Sequence, residues 1–173
     1  MTDVLFSARD VCQCDGQITS MNSVVLACGN VLRSDDGIAV YVAHRLFREV
    51  HDTDIRIICC HQWLPEQAEE LVGAELAVFI DASANLEAGK IEVLPILPSS
   101  NDVDGMSHCL DPGALLGMAR SLYGHAPERA VLVSIGGSSF IHGYEFSDRV
   151  NAAIPEILRQ VKTLLCDEPV VVG

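Results

Sequence analysis

The chain has 173 residues, 49% of them hydrophobic and 20% charged, with a formal net charge of −13. That length suits one full-sized domain with a substantial core. The charge argues against nucleic acid and anionic membrane as partners and suits a positively charged or metal-bearing protein better. No apolar run reaches the roughly 20 residues that span a bilayer.

The opening, MTDVLFSARDVCQCDGQITS, has neither a sustained period nor a basic start followed by an apolar block. It is expected to be a disordered extension over residues 1–22 without a signal peptide, and Met21 is an alternative start. The seven cysteines (Cys12, Cys14, Cys28, Cys59, Cys60, Cys109 and Cys166) form no C-x-x-C pair. An odd count without such pairs points to reduced thiols, several of them small core residues, and to a cytoplasmic protein.

From Ser23 onward strands and helices alternate. SVVLAC (residues 23–28) reads as a first strand, and a helix follows from about Gly37 to Glu49 with Val40, Ala43, His44 and Phe47 at helical spacing. IRIICC (55–60) is a second strand, and Pro65 opens a helix in PEQAEELV. LAVFID (76–81) and GKIEVLPIL (89–97) are the third and fourth strands. Asp111 and Pro112 start a helix that Gly124 stops. AVLVSIGG (130–137) is the fifth strand, and the closing helix, capped by Ser147, contains Pro155 as an expected kink. Short, nearly continuous apolar strands separated by helices predict a single three-layer α/β/α domain over 23–166. Its sheet is mostly parallel with roughly five strands, and 167–173 form a tail.

Ligands of such folds sit beyond the carboxyl ends of the strands. There the chain places Gly29, Asn30, Asp35 and Asp36; then His61, Gln62 and Glu66; then Asp81, Ala82 and Ser83. His108 follows on the long loop Pro98–Asp111, and Gly136 to Ser139 come after the fifth strand. One acid before a helix satisfies free N–H groups and the helix dipole; a second needs another purpose. Asp81 alone would be an ordinary loop cap, and a lone histidine is more often a surface residue. Two carboxylates and an imidazole from three strand ends nevertheless form an N/O set suited to a borderline divalent ion with open positions. An aspartic dyad of Asp36 and Asp81 is the other arrangement that these residues allow.

Other chemistries fit less well. CGNVLR is neither G-x-G-x-x-G nor a P-loop, and GGSSF is not G-x-S-x-G, so Ser138 and Ser139 are expected to shape a loop. Cys109 beside His108 is a poor nucleophile–base pair, because sequence neighbours on a loop rarely face each other. His125 and His142 are expected to be solvated, and Trp63, the single tryptophan, lines the crevice or covers a helix.

CGNVLRSDDGIAVYVAHRL resembles the G-N-x-L-x-x-D-[DE]-G-x-G signature of the nickel–iron hydrogenase maturation endopeptidases. VFIDA is similar to their second acidic strand end, and SHCLDPGALLGMARSLYG to their histidine loop and its helix. The likeness covers about Ser23 to Leu165. Ala39 departs from the second glycine of the signature, and CCHQWLPEQAEEL stands where many members have a Gly-Gly-Thr turn. In that it looks more like the subgroup serving bidirectional NAD-linked hydrogenases.

The resemblance implies an enzyme, a peptidase that removes a C-terminal extension from the large-subunit precursor after nickel insertion. It implies Asp36, Asp81 and His108 as the metal-contacting residues, Asp36 and Asp81 as the catalytic ones, and Asp35 as the helix-start residue. The nickel is supplied by the substrate and no resident cofactor is expected. The partner is the precursor, with a monomeric enzyme. A metal-sensing docking protein that does not cut, and a metal-dependent hydrolase of small substrates, are the competing readings.

Overall fold

The structure, a computed structural model, describes the backbone of residues 5–6 and the residues 22–50, 54–99 and 110–166. Its six-stranded sheet comprises β1 (Leu5–Phe6), β2 (Ser23–Cys28), β3 (Ile55–Cys60), β4 (Leu76–Ser83), β5 (Ile91–Pro95) and β6 (Arg129–Gly136), in the spatial order β1-β3-β2-β4-β6-β5. β3, β2, β4 and β6 run parallel; β1 and β5 pair antiparallel at the two edges. The five expected strands are all present. β1 falls within the expected N-terminal extension, most of which lies outside the described residues, as does the expected tail.

The helices are α1 (Ile38–Glu49), α2 (Gln67–Glu70), α3 (Pro112–Tyr123) and α4 (Asp148–Cys166). Alternation along the central strands sends neighbouring side chains to opposite faces. Val25, Ala27, Val78 and Ile80 meet Ile38, Val42 and Leu46 of α1 and Ile154, Ile157 and Val161 of α4. Val24, Leu26, Ala77 and Phe79 meet Ala68 of α2 and Leu115, Leu116 and Ala119 of α3 on the other face. The result is the expected three-layer α/β/α domain. Among the described residues no helix is long and apolar enough to cross a membrane.

Local chemistry explains most boundaries. Asp111 caps α3 by accepting the Ala114 N–H at 2.7 Å, Pro112 occupies the first turn, and Gly124 closes the helix at φ 70°. α4 continues through Pro155. One expectation is corrected. The helix expected from Pro65 is a single turn, because i→i+3 bonds such as Ala68 N–H to Pro65 O dominate the segment and Gly73 (φ 77°) ends it. The helix expected from about Gly37 to Glu49 runs from Ile38 to Glu49, preceded by a 3₁₀ turn, Ser34–Gly37. The antiparallel course of β5 also has a simple cause: the short link from Ser83 to Ile91 cannot provide the crossover that a parallel strand needs.

Asp111→Ala should lower stability by about 1 kcal/mol through loss of the α3 cap. The urea midpoint checks this, with the slope of the transition unchanged.

Candidate active site

From β2 the chain passes through α1 to β3 on one side, whereas β4 lies on the other side of β2. The connections diverge at this point, so a crevice opens beyond the carboxyl ends of β2 and β4. Asp36, in the turn after β2, and Asp81, near the end of β4, approach each other there closely enough for the charge of Asp36 to act on the Asp81 carboxyl.

Asp36 is fixed by its own loop. Its Oδ2 accepts the Asn30 N–H at 3.1 Å, while Asn30 uses Oδ1 to accept the Leu32 N–H at 2.9 Å and its carbonyl to accept the Arg33 N–H at 3.0 Å. Gly29 is required for close approach, since a Cβ at that position would lie 2.0 Å from the Asp36 carbonyl oxygen.

Asp81 follows Phe79 on the α2/α3 face and is half-buried. Burial is the main reason its carboxyl is pushed up to about 6, and the nearby charge of Asp36 adds to the shift. The Ala82 N–H and the Trp63 indole N–H act in the opposite direction by donating to the charged form. Trp63 is 8% exposed and packs edge-on against Phe79 with ring centroids 5.5 Å apart. It therefore belongs both to the crevice and to the core.

Asp35 is not the helix-start cap that the resemblance implied. Its side chain makes no capping bond to α1 or to the 3₁₀ turn. It turns inward, is 0% exposed, and accepts the Ser138 and Ser139 N–H groups at 2.8 and 2.9 Å. The Ser147 N–H and hydroxyl also donate to it, at 2.7 and 2.8 Å, and the Asp35 N–H returns a bond to Ser139 O at 2.9 Å. Burial works against its charge, yet these donors outweigh it and hold the carboxyl below the ordinary carboxylate range. Ser138 and Ser139 thus shape a loop, as expected. The Ser147 hydroxyl donates to Asp35.

His108 and Cys109 lie outside the described residues. His61, Gln62 and Glu66 are exposed after β3. His142 is exposed as expected, whereas the half-buried His125 accepts the Gly73 N–H through Nδ1 at 3.4 Å. Among the described residues no three His, Cys, Asp or Glu side chains are grouped so as to hold a metal ion. Sequence reading missed the pairing of Cys28 with Cys60, which are register partners on β2 and β3, the Cys60 thiol donating to Ala27 O at 3.7 Å. The adjoining Cys60 thiol, burial, and the charges of Asp81 and Asp36 push the Cys28 thiol up. Their shared place as the last residue of adjacent strands was the available signal.

This architecture is the fold of the nickel–iron hydrogenase maturation proteases. Among solved structures, the Escherichia coli hydrogenase maturating endopeptidase HybD superposes with a TM-score of 0.67 at 20% identity, covering 84% of this chain and 92% of that one. The [NiFe] hydrogenase maturation protease HycI from Thermococcus kodakarensis gives 0.66 at 21%, covering 86% and 95%. HybD from Thermococcus kodakarensis gives 0.62 at 21%, covering 84% and 99%. At these identities the likeness is one of fold. No family model and no curated protein matches the chain.

Asp35→Ala leaves three backbone N–H groups without their acceptor and should cost about 3 kcal/mol, measured by denaturant unfolding. Asp81 has the opposite effect on stability. Its folded carboxyl is raised to about 6 from the ordinary 3.8, so the protonated form is favoured by folding. The resulting penalty is absent below about pH 4, grows as pH rises through the folded value and is complete above it. Asp81→Asn should therefore be more stable than the parent by about 2 kcal/mol at pH 7.5, with the gain vanishing near pH 4. Thermal melts across that range check both sign and window.

Proposed function

We propose that this chain is an aspartyl-type endopeptidase of the cytoplasm that removes a C-terminal extension from a nickel–iron hydrogenase large-subunit precursor after nickel insertion. The observation that carries the reading is that Asp36 and Asp81 both stand beyond the carboxyl ends of β2 and β4, near enough for the charge of one to act on the other. The fold supports it, because the solved structures that share it are named as hydrogenase maturation endopeptidases and proteases. The net charge of −13 also suits a metal-bearing partner.

In this reading the nickel arrives with the substrate, and Asp36, Asp81 and His108 contact it. The enzyme acts as a monomer without a resident cofactor. Asp36, anchored by Asn30 and the Gly29 turn, presents a preorganised carboxylate to the cation. A metal-polarised carbonyl makes the scissile bond more susceptible to water. A carboxylate at the crevice takes the proton of that water, and the proton passes to the leaving amine as the C–N bond breaks. Trp63 and the Ala82 N–H hold Asp81 in place for this work.

The test is incubation with nickel-loaded and nickel-free precursor, followed by intact mass. Loss of a C-terminal peptide only from the loaded form is expected, and Asp36→Asn should slow it at least about a hundredfold while leaving the fold intact. Complex formation without cleavage by the parent chain would favour a docking protein. Turnover of small substrates without the precursor would favour a general metal-dependent hydrolase.

A further inference from the structure

The loops after β2 and β6 (residues 29–34 and 137–144) are joined into one platform beside Asp36. The Ser34 N–H donates to Gly143 O at 2.9 Å, and the Gly143 N–H donates to Leu32 O at 2.9 Å. Arg33 Nε donates to Phe140 O at 3.2 Å, and Arg33 and Gly143 form a parallel bridge. This platform holds four large apolar side chains in solvent: Val31 (44% exposed), Leu32 (42%), Ile141 (73%) and Tyr144 (74%). Single exposed apolar residues need no explanation, but a cluster carried on a hydrogen-bonded loop pair marks an interaction surface. The two loops themselves carry no acid: of the chain's 24 Asp and Glu residues none lies in 29–34 or 137–144, with Asp35, Asp36 and Glu145 at their ends, and Arg33 is exposed among them.

We infer that this ridge binds an apolar segment of the precursor that carries a carboxylate, the side chains resting on Leu32 and Ile141 and the carboxylate meeting Arg33. The inference rests on the endopeptidase reading and names where its substrate is held. Continuity supports this occupant. Leu32 is bonded to Asn30, which is bonded in turn to Asp36, so a chain lying on the ridge is delivered to the crevice. A second copy suits the surface less well, because two chains of net charge −13 would be brought together.

The experiment measures cleavage kinetics on nickel-loaded precursor by the full chain and its variants. Leu32→Ser and Ile141→Ser should each raise KM about tenfold with kcat within twofold, because only uniform binding is lost. Arg33→Gln should raise KM about threefold at low salt and have no effect at 1 M salt. Leu122→Ser, an equally exposed apolar position at the end of α3, should leave both constants unchanged. Melting temperatures of all four variants should stay within about 2 °C of the parent, since the side chains are exposed. An unchanged KM in the Leu32 and Ile141 variants overturns the ridge while the endopeptidase reading stands. A loss of kcat alone, or an equal effect of Leu122→Ser, also overturns it. A dimer dispersed by Ile141→Ser without a change in KM would assign the surface to a second copy. If the parent chain does not cleave the precursor at all, it is the endopeptidase reading that fails.

Discussion

The rim of this molecule depends on one buried carboxylate. Asp35 accepts bonds from Ser138, Ser139 and Ser147, so one side chain joins the turn after β2, the loop after β6 and the start of α4. The turn after β2 lies more than a hundred residues in sequence from the other two. A charge without water is tolerable only when its lone pairs are filled by well-placed donors, and here the donors are mostly backbone N–H groups held by the loops themselves. Because Asp35 faces inward, the next residue faces outward, and Asp36 reaches the crevice. The adjacent acids are therefore not redundant. One sets the geometry that the other uses.

Several parts of this arrangement were legible in the sequence because they are local. Short, largely apolar runs marked the five strands that were expected, and Asp111, Pro112 and Gly124 bounded α3 through side-chain and backbone chemistry contained within the helix. Asp81 was conspicuous as an acid ending an apolar strand, and the likeness of CGNVLRSDDG to a known signature singled out Asp36. The parts that were not legible depend on distant partners. The role of Asp35 is decided by serines of another strand end, so a capping rule based on neighbours assigned it to the wrong donors. α2 carries helix-forming residues, but Gly73 and the need to re-enter the sheet at Leu76 leave room for only one turn. β1, two residues long, has too few side chains to show a period at all. His108 was read from the sequence and lies outside the described residues.

Asp81 shows the cost that accompanies such a site. A half-buried carboxylate next to another acid, with two thiols on the adjoining strand ends, is a poor choice for stability. Its companions on the same face, Phe79, Ala77 and Leu26, form a well-filled apolar layer that readily offsets one unfavourable group. The strain is confined to the end of β4, where the sheet opens into the crevice. The centre of the sheet retains its apolar packing on both faces, and the ionisable groups lie at its margin.

The placement of Trp63 gives the protein an internal optical reporter. It is the single tryptophan of the chain, its ring packs edge-on against Phe79, and its N–H favours the charged form of the Asp81 carboxyl. Indole emission depends on polarity and on charge at the ring nitrogen, so the fluorescence of the whole molecule reads out the state of one carboxylate. Proton uptake, arrival of a cation or displacement of the turn after β3 would each change that signal without any label being attached.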